Sequence, residues 1–175
     1  TDYYWQVDLS PWTDTNLKAG SAMESIEIGM QAPDFFLEDC YGKPVSLTGL
    51  RGKKVILYFF TSPGGGNWTR MALGYQENVQ KLRSKNIVVY GMNDKDSKAA
   101  REWIETENLP FTILLDVDRE VGISFGIADR SSDRYVANNA DGRRPAVAID
   151  EFGRIIAWEP DMNTVGDIND LIERM

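Results

Sequence analysis

The chain has 175 residues and a mass of 19.8 kDa, the size of one domain with an ordinary core and a short extension. Its composition of 42% apolar and 26% charged residues is that of a folded protein. A formal charge of −8 argues against a nucleic-acid surface, because phosphates are neutralised by Lys and Arg. With no histidine and one cysteine, Cys40, there is no Ser-His-Asp triad, Cys-His pair, imidazole metal ligand, internal disulfide or Cys-x-x-Cys pair; no metal and no cofactor is expected.

Residues 1–25 form an extension distinct from the domain expected over 26–175. In it Tyr3, Tyr4, Trp5 and Trp12 sit among Asp, Ser, Thr and Pro without helix or strand periodicity. Two readings stand: an arm packed along its own domain, or a docking segment anchored on a partner by those aromatics. The start TDYYWQVDLSPW lacks the basic region and apolar core of a signal peptide, and no run approaches the roughly 18 to 20 apolar residues of a membrane span. With a single thiol, the expected location is cytoplasmic.

From residue 26 strands and helices alternate. Residues 34–38 and 44–47 flank the turn-like Asp39-Cys40-Tyr41-Gly42 and predict a β-hairpin. The run VILYFF over 55–60 marks a central strand buried on both faces. After the Gly-rich TSPGGGN, the spacing of Trp68, Met71, Ala72, Tyr75, Val79 and Leu82 predicts one helix. A strand follows at 87–91, then a helix over 98–107 capped by Asp96 or Ser97. Next come a strand over 110–116, a short helix at 120–125, a second hairpin from 146–150 and 154–158, and a last helix from about Thr164. A β-α-β unit followed by a hairpin and a terminal helix is the thioredoxin arrangement: an α/β fold with a central mixed sheet flanked by helices. Right-handed crossover puts its functional edge where VILYFF ends.

The segments IGMQAPDFFLEDCYGKPVSLTGLRGKKVILYFF, NLPFTILLDVDREVGISFGI and RRPAVAIDEFGRII resemble the alkyl hydroperoxide reductase / thiol-specific antioxidant peroxiredoxins, closest to the bacterioferritin-comigratory type, over about residues 26–175. That resemblance implies the peroxiredoxin version of the thioredoxin fold. It also implies a motif Pro-x-x-x-Thr-x-x-Cys whose thiol sits in the first turn of the helix after the central strand, where the helix N-terminus and a nearby Arg favour the thiolate. Laid on TSPGGGNWTRMAL, the motif falls on Thr61, Gly65 and Trp68, with Leu73 where some members keep a resolving Cys. A frame starting at Pro63 falls on Asn67 and Arg70. Neither frame supplies a thiol. Arg144 matches the family's active-site Arg, and Pro145 beside it resembles the cis-Pro of thioredoxins.

Three functions are open on these residues. The first is a non-catalytic binding or accessory subunit, with a protein partner or a second copy, in which Trp68 plugs the former pocket. The second is a thiol-dependent peroxidase using Cys40. Its turn location with Glu38 and Asp39 beside it speaks against this, since carboxylates raise a thiol pKa. The third is a small-anion site formed by Gly64, Gly65, Gly66, Asn67, Trp68 and Thr69 at the helix start, with Arg144 as countercharge. Asp116-Val117-Asp118 is read as a solvated turn, and Arg130, Arg134, Arg143 and Arg144 as a local basic cluster.

Overall fold

A computed structural model of the chain describes residues 26–62, 66–137, 144–162 and 164–175, with the side chains of 66–68 outside that description. The N-terminal extension, with Tyr3, Tyr4, Trp5 and Trp12, lies outside the described residues, as do Gly64 and Gly65.

The strands are β1 (Phe36–Glu38), β2 (Pro44–Ser46), β3 (Lys54–Phe59), β4 (Ile87–Asn93), β5 (Thr112–Leu115), β6 (Ala146–Ile149) and β7 (Ile155–Glu159). The helices are α1 (Gly66–Glu77), α2 (Val79–Ser84), α3 (Ser97–Glu107), α4 (Glu120–Ser124) and α5 (Val165–Arg174). β1 and β2 form the expected hairpin, while the main sheet runs β5-β4-β3-β6-β7. β3, β4 and β5 are parallel to one another, and β6 is antiparallel to both β3 and β7. This is the mixed sheet expected from the order of elements.

Why β3 lies in the middle follows from its composition. A strand with a partner on each edge and a layer on each face offers no place for polar side chains, and Val55 to Phe60 are all 1% exposed or less. Its side chains alternate between two cores. Ile56, Tyr58 and Phe60 pack with Tyr75 of α1, Trp103 of α3 and Ile168 of α5. Val55, Leu57 and Phe59 pack with Val45 of the hairpin, Val121 of α4 and Phe125. Burying a side chain of this size contributes about 2 kcal/mol. Gly91 of β4 lets the aromatic layer close down on the sheet, since a Cβ there would lie 2.9 Å from the Phe60 ring.

The predicted single helix is two. Asn78, at φ −98° and ψ 13°, breaks it, and its side-chain amide donates to Gly74 O and Asn169 Oδ1, both at 2.8 Å. The caps are as expected: Asp96 accepts from the Ala99 amide, and Thr164 with Asp167 forms a capping box on α5, each arrangement satisfying amides the helix itself leaves open. The Arg144–Pro145 bond is trans, so the cis geometry suggested by the thioredoxin likeness is absent.

Candidate functional site

The edge at which β3 ends gathers the residues singled out by the resemblance. Tyr58 pairs with Ala146 across β3 and β6, and the Phe59 amide donates to Pro145 O at 3.0 Å. Arg144 is thereby fixed beside the end of β3. Its own carbonyl accepts from the Met162 amide at 3.0 Å, and its side chain is buried, 8% exposed. Beneath it lies an aromatic pair, Tyr58 and Tyr75, with ring centroids 5.3 Å apart. Burial pushes the Tyr58 phenol well above its usual range; Tyr75 adds to this and the Arg144 charge opposes it. Both phenols are held neutral, so neither is a base at this edge.

The chain leaves β3 through Phe60, Thr61 and Ser62 and enters α1 at Gly66. Trp68 is thus in the first turn of α1, on the same edge as Arg144. A helix N-terminus carries about half a positive charge, and with a guanidinium close by the edge is suited to an anion or an electron-rich oxygen. Thr69 is committed elsewhere: its Oγ1 accepts from Trp103 Nε1 at 3.2 Å, and Trp103 in turn packs on Phe60 at 5.2 Å. Leu73 packs on the same core.

Cys40 is far from this edge. Its amide donates to Ile113 O at 2.9 Å and Asp39 bridges Leu114, so it lies outside β5, four inter-strand steps, about 19 Å, from β6. Its side chain is 1% exposed, and its carbonyl accepts from Arg101 Nη1 at 3.0 Å. Burial first, with the nearby Asp39 carboxylate adding, raises the thiol pKa, against a smaller lowering by hydrogen bonding to Ile113. The expected direction is found, but burial rather than charge is its main cause.

Two readings of the sequence are corrected. Asp116 is fully buried, not solvated: its carboxylate accepts from the Val121 and Gly122 amides at 3.2 and 2.7 Å and from Tyr135 Oη at 2.8 Å. Only the pairing with Tyr135, 19 residues on, gives the role away, and no local motif signals it. Beside it Arg119, at φ +64°, pairs with Asp94 at 2.8 Å and donates to Asp129 O and Ser132 O. Of the arginines read as a basic cluster, Arg143 lies outside the described residues, Arg144 is buried rather than solvated, and the exposed Arg130 pairs with Glu120 at 3.7 Å. Among the described residues no cluster of His, Cys, Asp or Glu is arranged to hold a metal, and no helix is long and apolar enough to cross a membrane.

Residues 28–157 match the AhpC/TSA family. A Coxiella burnetii protein bearing the name peroxiredoxin bcp is 34% identical, over 86% of this chain and 99% of the relative. Escherichia coli Peroxiredoxin Bcp is 33% identical, over 76% of this chain and 85% of the relative. Among solved structures, peroxidoxin BcpB of Mycobacterium tuberculosis superposes with a TM-score of 0.76 over 85% of this chain and 96% of that one, at 16% identity, a likeness of fold. The chain belongs to the AhpC/TSA family and, by its relatives, to the Bcp-like peroxiredoxins.

Proposed function

We propose that this peroxiredoxin works by binding rather than by turning over peroxide, as an accessory subunit for a protein partner or a second copy. Its binding edge would be built from Arg144 and the first turn of α1. The observation that carries this reading is the separation of parts. The cation and the helix start are on one edge at the end of β3, with Trp68 at the position the resemblance gives to the thiol, and Cys40 lies beyond β5, three inter-strand steps or about 14 Å from β3 and about 19 Å from β6. Family chemistry needs a thiolate to attack one peroxide oxygen, breaking the O–O bond and leaving a sulfenic acid and an alcohol or water. A buried thiol with a raised pKa supplies little thiolate. The same edge suits a small anion, and thermal stabilisation by phosphate or sulfate that disappears in Arg144→Ala would identify that ligand class. We place the protein in a reducing compartment such as the cytoplasm.

A second reading is favoured by the family and by the names of its relatives: a thiol-dependent peroxidase acting through Cys40. Hydrogen-peroxide consumption with excess dithiothreitol separates the two. Under the binding reading, wild type and Cys40→Ser both stay at the buffer rate. Activity in wild type that is lost in Cys40→Ser establishes the thiol reading, and equal activity in both overturns the pair.

A further inference from the structure

At the end of the sheet away from Arg144 there is a slot of about 330 Å3, within the size range of small-molecule sites. It opens where three pieces of the chain meet. One is α2, whose Leu82 packs into the core on one face of the sheet. Another is the β1–β2 hairpin, whose Val45 packs into the core on the other face. The first residues of β4 lie between them. Val79 and Leu82 of α2, Val88 of β4 and Phe111 make the slot apolar, and Val79 and Val88 are only half-buried. Such surface gains about 25 cal/mol for each Å2 taken out of water. Each layer also brings one cation to the slot, Lys43 from the hairpin and Arg83 from α2, both exposed. Among the described residues neither has an acidic partner, although acidic side chains outnumber basic ones by 27 to 19. Deeper in lies the buried Asp39. Its carboxylate accepts from the Tyr41 and Lys43 amides, both at 2.9 Å, and it adds to burial in raising the pKa of the Tyr90 phenol beside it.

We propose that this slot binds a free, single-tailed aliphatic monoanion of the medium-chain carboxylate class. Its tail lies along Val79, Leu82, Val88 and Phe111, and its head stands at the mouth between Lys43 and Arg83. Charge complementarity chooses this occupant. Two cations without acidic partners, one on each side of an apolar slot in a chain of net charge −8, are answered by one anionic head, which a guanidinium takes through paired N–H donors. The fixed negative charge of Asp39 repels a second anionic group further in, so the ligand is charged at one end only. An inorganic anion would satisfy the cations and leave the walls wet, and an uncharged amphiphile would do the reverse. Lining and rim together have the makeup of a small-molecule site, largely apolar with a few convergent polar groups that fix orientation. The slot is built on the start of β4, so the inference is independent of the reading of the Arg144 edge.

Titrating decanoate, below its micellar range, into the full chain and following methyl resonances tests it. Binding should saturate at one decanoate per chain and shift the methyls of Val79, Leu82 and Val88 while leaving those of β6 unmoved. Decanol, the tail without the charge, and acetate, the head without the tail, should each bind at least about tenfold more weakly. Lys43→Glu/Arg83→Glu should weaken decanoate about tenfold, the worth of two exposed ion pairs. Val79→Phe, which fills the slot, should abolish binding with the circular dichroism spectrum unchanged. The proposal is overturned by the absence of a saturable shift in wild type, by decanol binding as tightly as decanoate, or by wild-type affinity in both variants. Slot shifts that track protein concentration without decanoate, alongside a dimer in sedimentation, would give the slot to a second copy and overturn it equally.

Discussion

Arg144 and Cys40 occupy two regions of one sheet, and each region holds half of what thiol chemistry asks for. The end of β3 has a buried cation, Arg144, and the start of α1 with Trp68 on one edge of the sheet, and positive charge of these two kinds lowers the pKa of a thiol placed beside it. Outside β5 there is a thiol, shut in by burial and next to a carboxylate, so its pKa is raised. A site depends on where a group stands as much as on what it is. Under the proposed reading, this chain keeps the position and lacks the group.

Four experiments bear on that contrast. Removing Asp116, which anchors the segment leading towards Arg144, has the largest expected effect. Asp116→Ala leaves the Tyr135 hydroxyl and two amides buried without their acceptor, and should cost about 3 kcal/mol of stability in denaturant titration. Trp68→Cys puts a thiol where the electrostatics favour thiolate; its peroxide consumption should exceed wild type about a hundredfold, with alkylation titrating below the ordinary thiol value of about 8.5. A thiol there that titrates at its ordinary value would break the comparison. Cys40 in the native protein should alkylate at least several-fold more slowly at pH 7 than in the unfolded chain, because burial shields the sulfur and raises its pKa; native reactivity as high as unfolded would show that the turn is open. The smallest effect is Tyr135→Phe, about 1 kcal/mol.

The pH dependence of Asp116 carries its own sign. Burial, outweighing its hydrogen bonds, lifts this carboxyl above the usual aspartate range. The folded state therefore holds the proton more tightly than the unfolded state. The stability this group contributes is complete below the ordinary aspartate pKa and is lost as pH rises through the lifted value. The Tm of wild type should fall relative to Asp116→Asn across that window.

Much of this architecture can be read from the chain directly. VILYFF declares a strand buried on both sides, and the caps Asp96 and Thr164 set their helices to within a residue. The functional edge at the end of β3 follows from strand order and right-handed crossover, and Arg144 is assigned to it by the family resemblance. What escapes the sequence depends on partners distant in the chain. The apolar stripe through Tyr75, Val79 and Leu82 runs unbroken past Asn78, and the break is explained by Asn169, 91 residues away. A cysteine in a hairpin turn reads as exposed; its burial comes from docking outside β5 beneath α3, where Arg101 holds its carbonyl. Asp116 looks like half of an acidic turn until Tyr135 is placed on it.

The pairing of β3 with β6 has a consequence for biosynthesis. β3 meets β4 on one edge soon after it is made, but its other edge waits for residues 146–149, roughly ninety positions later. At the usual 5–20 residues per second, the central strand, with its run VILYFF, keeps one side open for about 5 to 18 seconds on the ribosome. Over that interval the nascent chain is a natural client for a chaperone that grips short hydrophobic stretches, and slowed elongation between β5 and β6 would lower the yield of folded protein.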